Sequence, residues 1–193
     1  TAYTPYQPEC AQGTLQAIYE YQSVICELTG LDVANASLYD GGTAVFEAAT
    51  MAIRLKKRSR VVCHPSLNPL YRAMLDTHTA NLALDIVDGD DPTDAACVIV
   101  QNPAFLGTVD DFSAMARRCH DAGALLIVHF YPISLGMVKT PAEMGADIAI
   151  AEGQSLGLPL GFGGPYLGIL AARKEYIRKM PGRIGAMTKD TNG

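Results

Sequence analysis

The sequence predicts an α/β domain of three layers, a mostly parallel sheet with helices on both faces. Helical and strand periodicities alternate along the chain. The run 124–128, and the run 147–151 after its leading Asp147, are continuously apolar, as strands buried on both faces are. Short crossovers between such elements pack right-handed onto the sheet, which generates the layers.

Residues 1–12, with tyrosines and prolines in close succession, read as an extended arm ahead of a large α/β domain at 13–193. Leu15, Ile18, Tyr21, Ile25 and Leu28 keep helical spacing, and Gly30 follows as a stop. Residues 32–39 read as extended. Asp40-Gly41-Gly42-Thr43 opens a second helix whose inward stripe is Val45, Ala48, Ala52 and Leu55. The basic group 56–60 at its end suits the helix dipole.

A strand is expected at 60–64, a helix over 69–82 started by the cap pair Asn68-Pro69, and strands at 84–87 and 95–100. Phe112, Met115, Ala116 and Cys119 form one face of a helix over 110–121, with Gly123 behind it. The apolar strands 124–128 and 147–151 come next, then a strand at 166–172 and a short helix at 174–180.

With 49% hydrophobic and 18% charged residues, the 193-residue chain has an ordinary globular composition. A net charge of −5 with interspersed signs and no basic stripe argues against nucleic acid or an anionic membrane surface as partner. No apolar run is long enough for a membrane span. Cys10, Cys26, Cys63, Cys97 and Cys119 lack CxxC spacing and read as reduced core residues of a cytoplasmic protein, with no metal site. Without an initiator Met, and ending in a polar turn, the sequence reads as a portion of a longer polypeptide.

The chemistry centres on residues 151–168, AEGQSLGLPLGFGGPYLG. The stretch has the form of a cofactor lysine loop, a strand end followed by a Pro- and Gly-rich turn, yet residues 152–160 contain no lysine. Only an amine forms an internal aldimine, and Gln154 and Ser155 cannot. The six lysines, Lys56, Lys57, Lys139, Lys174, Lys179 and Lys189, all sit in polar or charged surroundings.

The turn Gly41-Gly42-Thr43 before a helix offers backbone N–H groups to an anion. Asp40 in front of it favours a simple helix cap, because its carboxylate takes the same donors and repels a phosphate. Near His129, at the end of a buried strand, there is no Asp or Glu between Asp121 and Glu143 to pair with a protonated pyridine nitrogen. His129 itself is a conceivable acid or base, but a lone His at a strand end is more commonly structural.

TPYQPE from Thr4, AQGTLQ from Ala11, LDVANAS from Leu31, QNP from Gln101, GADI from Gly145, GQSLGLPLGFGGP from Gly153 and MPGR from Met180 resemble the glycine cleavage system P-protein, glycine dehydrogenase (decarboxylating). The likeness covers nearly the whole chain and is to the first of two homologous halves, an alpha subunit in many bacteria and archaea. It implies the large-domain fold of fold-type I pyridoxal-phosphate-dependent transferases. Counting back from the shared Pro159 places Gln154 where the second half carries the cofactor lysine. The family commonly has a His-Pro pair where Asn68-Pro69 stands here, with His64-Pro65 earlier.

The resemblance implies a cytoplasmic complex, an alpha2beta2 heterotetramer, that decarboxylates glycine on pyridoxal phosphate and passes the aminomethyl group to the lipoyl arm of H-protein. The cofactor is expected on a homologous lysine-bearing beta subunit and not covalently on this chain. Gly41, Gly42 and Thr43 become a vestigial cofactor loop, and Tyr3, Tyr6, Gln7 and Glu9 face the active-site channel or the partner. Two other readings stand beside this one: an active aldimine enzyme such as an aminotransferase or lyase, and a pure scaffold or docking subunit.

Overall fold

The computed structural model describes residues 6–189 and Thr191. Seven strands form one sheet: β1 (Val33–Ala34), β2 (Arg60–Cys63), β3 (Asp85–Asp88), β4 (Ala95–Asn102), β5 (Leu125–Phe130), β6 (Ile148–Glu152) and β7 (Gly168–Ala172). Their order is β1-β7-β6-β5-β4-β2-β3. Strands β3, β2, β4, β5 and β6 pair parallel, while β7 runs antiparallel between β6 and β1. The three-layer, mostly parallel expectation therefore describes the chain.

Helices α1 (Gln12–Thr29), α2 (Gly41–Lys56), α3 (Pro69–Thr79) and α4 (Ser113–Asp121) cover the sheet. Strand alternation splits the core in two. Leu126, Val128 and Phe130 of β5 pack on the layer with α1 and α4, while Leu125 and Ile127 pack on the layer with α2 and α3. Gln101 of β4, His129 of β5 and Glu152 of β6 share the period-2 parity of that second set, which places them on the α2 and α3 face.

The helix ends follow their capping chemistry. Gly30 takes a left-handed φ of 72° after α1. Asn68 caps α3, its Oδ1 accepting from Leu70 N at 2.9 Å, with Pro69 in the first turn. Ahead of α4, whose N-cap position is Phe112, Asp111 Oδ1 accepts from Ser113 N at 2.9 Å in a local turn, and the helix starts later than position 110. Helix α3 stops at Thr79, short of 82, and the 174–179 segment is a 3-10 turn.

Two differences from the sequence reading concern the edges. The expected extended run 32–39 is a strand only at Val33–Ala34, because it meets β7 at the sheet edge and pairs again through Leu38 and Gly168. Within the expected arm, Pro8–Cys10 form a 3-10 turn and α1 already begins at Gln12. Cys10 is exposed there, whereas Cys63, Cys97 and Cys119 are buried core thiols. Among the described residues no helix is long and apolar enough to cross a membrane.

Candidate functional site

The carboxyl ends of β4, β5 and β6 open into a cleft of about 370 Å³ under α3, lined by Asn68, Tyr71, Gln101, Phe105, His129 and Glu152 among others. Gln101 and His129 are direct partners in the β4–β5 register, and Glu152 lies two residues beyond His129's own partner, Ile150. Crevices outside the carboxyl ends of parallel strands are where open α/β sheets bind ligands.

Glu152 organises the back of the site. Its Oε2 accepts from Gly41 N at 2.9 Å, and its Oε1 accepts from Gln154 N at 2.9 Å and Leu167 N at 3.0 Å. At the same helix end, Asp40 Oδ1 accepts from Thr43 N at 2.7 Å and its Oδ2 from Thr43 Oγ1 at 2.9 Å. Three donors at the start of α2, Gly41 N, Thr43 N and Thr43 Oγ1, are thus engaged by two carboxylates of the chain. The helix-cap reading of Asp40 describes what is present.

The glycines here have a steric reason as well. A Cβ on Gly41 would lie 2.8 Å from Tyr71 Oη and 3.0 Å from Glu152 Cβ, and one on Gly42 would lie 2.4 Å from Met74 Sδ. A Cβ on Gly168 would meet Asp40 O at 2.6 Å. Close packing on the β6–β7 ends requires Gly41 and Gly168, which face Glu152 and the Asp40 backbone, whereas Gly42 faces only the movable end of the Met74 side chain and Asp40 Oδ1.

Gln154 sits in the 3-10 turn after β6, and its Nε2 donates to Pro159 O at 3.2 Å. Its side chain closes its own loop and is not among the cleft's lining residues. Ser155 Oγ is buried without a hydrogen bond.

His129 is 6% exposed, and neither ring nitrogen has a hydrogen-bond partner. Its ring leans on Tyr71, with centroids 5.0 Å apart and planes at 46°. Burial pushes the imidazole down to about 4, so the ring is neutral at physiological pH. Burial, with Glu152 and Asp40 nearby, pushes the Tyr71 phenol up to about 12. His64 is held elsewhere: its Nδ1 lies 2.9 Å from Ser66 Oγ and its ring stands edge-on to Phe112. It shapes the turn after β2.

Tyr6, Gln7 and Glu9 are exposed and line no part of this cleft; the Arg183 guanidinium lies 5.4 Å from the Tyr6 ring centroid. Tyr3 lies outside the described residues. Gln101, Tyr71 and Glu152 are site residues that the motif-based reading passed over. A polar residue at a buried-parity position of an apolar strand was the available signal for Gln101 and Glu152.

Sheet order, the single antiparallel β7 and the cleft at the strand ends define the large domain of the fold-type I pyridoxal-phosphate-dependent enzymes. A putative L-allo-threonine aldolase from Listeria monocytogenes shows that fold at a TM-score of 0.65 and 17% identity, over 92% of this chain and 58% of that one. The family model for the glycine cleavage system P-protein matches residues 1–193, and the chain belongs to that family.

A probable glycine dehydrogenase (decarboxylating) subunit 1 from Citrifermentans bemidjiense is 55% identical over 100% of this chain and 46% of the relative. A crystal structure of glycine decarboxylase (P-protein) of the glycine cleavage system, in inhibitor-bound form, superposes with a TM-score of 0.94 at 45% identity, again over 100% and 46%. The chain spans about half the length of the curated relatives it matches.

The residues at the strand ends do not fit a pyridoxal phosphate aldimine. No amine stands at position 154, no carboxylate stands at position 129, and the α2 donors already hold Glu152 and Asp40.

Proposed function

We propose that this chain is part of the lysine-less, alpha-type subunit of glycine dehydrogenase (decarboxylating), and that pyridoxal phosphate is held by a homologous lysine-bearing beta subunit in a cytoplasmic alpha2beta2 assembly. In this reading the complex decarboxylates glycine and passes the aminomethyl group to the lipoyl arm of H-protein. This chain carries no step of that chemistry; it supplies walls and contacts. The observation that carries the reading is the engagement of the α2 N-terminus by Glu152 and Asp40, beside a Gln154 whose amide is spent on Pro159 O.

The loops around the strand ends support a partner chain. Leu106 is 89% exposed, Met137 96% and Leu160 80%, and these apolar side chains come from the segments that follow β4, β5 and β6. Monomeric proteins seldom leave such side chains clustered at one end. Tyr6, Gln7 and Glu9, exposed at the start of the chain, fit a role at the same assembly, together with Tyr3.

The test is borohydride reduction of the full chain with pyridoxal phosphate, with and without the lysine-bearing homologue, and location of the labelled lysine by mass spectrometry. Label confined to the homologue is expected. Near-stoichiometric label on a lysine of this chain would overturn the reading in favour of a self-sufficient aldimine enzyme. Substituting Tyr6 and Glu9 checks the arm: lower turnover with intact assembly is expected, and unchanged turnover would leave a scaffold role alone.

A further inference from the structure

Residues 181–188 form a strap without helix or strand, and two buried amides grip its backbone on either side of Arg183. Asn35, fully buried just after the edge strand β1, donates from Nδ2 to Pro181 O at 3.1 Å, and Ala36 N donates to Arg183 O at 2.7 Å. Gln22 of α1, 7% exposed, takes both backbone groups of Gly185. Its Nε2 donates to Gly185 O at 2.9 Å and its Oε1 accepts from Gly185 N at 2.8 Å. Gly182 turns beside Asn35 at a left-handed φ of 75°, where a Cβ would lie 3.2 Å from Asn35 Nδ2.

These bonds read only the main chain of the strap, and in a buried setting each is costly to break. Together they fix the backbone before and after Arg183, so the root of its side chain is held by the sheet edge and by α1. The side chain itself is exposed, with its guanidinium over the Tyr6 ring, 5.4 Å from the centroid. A cation within about 6 Å of an aromatic centroid is attracted to the negative face of the ring. Arginine suits that place, because its planar group stacks on a ring and stays charged at any physiological pH.

Beyond Tyr6 the hydrogen bonds of the arm are short-range. Cys10 N donates to Gln7 O, and Ala11 N and Gln12 Nε2 both donate to Pro8 O. The 3-10 turn Pro8–Cys10 buries no residue. Bonds of this kind shape a turn and do not aim it, whereas Arg183 reaches the arm from a rigid part of the domain.

We propose that Arg183 is a positioning residue, which aims the N-terminal arm by holding the Tyr6 ring. The proposal rests on the reading that the arm acts in the assembled enzyme. Its experiment uses the full chain, first alone and then assembled with the lysine-bearing homologue. In the chain alone, hydrogen exchange over residues 6–12 is followed by mass spectrometry. Arg183→Met keeps the length and removes the cation, and should speed that exchange about threefold, while Arg183→Lys keeps a cation for the ring and should stay close to the unsubstituted chain. In the assembly, Arg183→Met and Tyr6→Leu should each lower turnover about threefold, the double variant should lose no more than either single one, and Arg183→Lys should restore most of the activity.

Unchanged exchange in Arg183→Met, losses that multiply in the double variant, or no rescue by Arg183→Lys would each overturn the proposal. Full turnover in Tyr6→Leu with intact assembly, beside faster exchange in Arg183→Met, would instead sink the reading of the arm on which the proposal rests, so the two failures are distinguishable.

Discussion

Two buried polar side chains on neighbouring strands of the same sheet have opposite surroundings. Asp147, at the entry to β6, is 2% exposed and fully engaged. Its Oδ2 accepts from Leu126 N at 2.8 Å and lies 2.9 Å from His120 Nε2, while Arg173 Nε stands 3.4 Å from its Oδ1. His129, near the exit of β5, is about as buried and has no partner. The entry end of β6 is held by charge and hydrogen bonds through Asp147, whereas at the exit end of β5 the His129 ring nitrogens stand without a partner.

Removing Asp147 is expected to have the largest effect. Asp147→Ala leaves the buried Leu126 N–H unpaired and takes away the anchor of His120 and Arg173, at a cost of about 3 kcal/mol. His120 and Arg173 are each 38% exposed and rehydrate, which keeps the loss from growing further. Urea unfolding of the full chain measures it; a loss under about 1 kcal/mol would erase the contrast between the two ends.

His129 gives the second test through pH. Its pKa is about 4 when folded and near 6.5 when unfolded, so between those values the unfolded chain binds the extra proton. Stability is therefore complete above pH 6.5 and falls as the pH drops toward 4. Between pH 7 and 5 the loss from this residue is about 2 kcal/mol. His129→Phe should remove that share of the acid sensitivity while holding or raising stability at pH 7, because it takes out an unpaired buried polar group. An unchanged acid slope in the variant would show that the ring is already paired in solution.

The division between the two ends was only half legible in the sequence. Period-2 and 3.6 patterns located the central strands and all four helices within a few residues, because the runs around Leu126 and Ile150 and the stripes of α2 and α4 are strongly periodic. Asp40 as a cap and Gln154 as the lysine replacement also follow from local chemistry. Glu152 does not. Its partners are Gly41 N and Leu167 N, 111 and 15 residues away, and only the sheet order brings them together. Asp147 was hidden likewise, since its role depends on the β5–β6 pairing and on α4.

A smaller effect is expected at Glu152. In Glu152→Gln one oxygen becomes an NH2 group facing a backbone N–H donor, so at least one of the three hydrogen bonds is lost. The expected cost is about 1 kcal/mol, read by urea unfolding, because the side chain is only partly buried and water reaches the site. A loss matching that of Asp147→Ala would mean that the exit end is welded as firmly as the entry end.

The smallest effect separates a tight fit from a rigid one. In Gly42→Ala the new methyl meets the end of the Met74 side chain, Sδ at 2.4 Å and Cε at 2.5 Å, and that thioether can swing away. Alanine also gains about 1 kcal/mol over glycine inside a helix, which offsets the repacking. The net change should be within about 0.5 kcal/mol by urea unfolding. Gly168→Ala is the control, since its methyl would strike Asp40 O, a backbone atom with nowhere to go. If the two alanine variants were equally damaging, the α2 N-terminus would be fixed by Met74 and not by the carboxylates of Asp40 and Glu152.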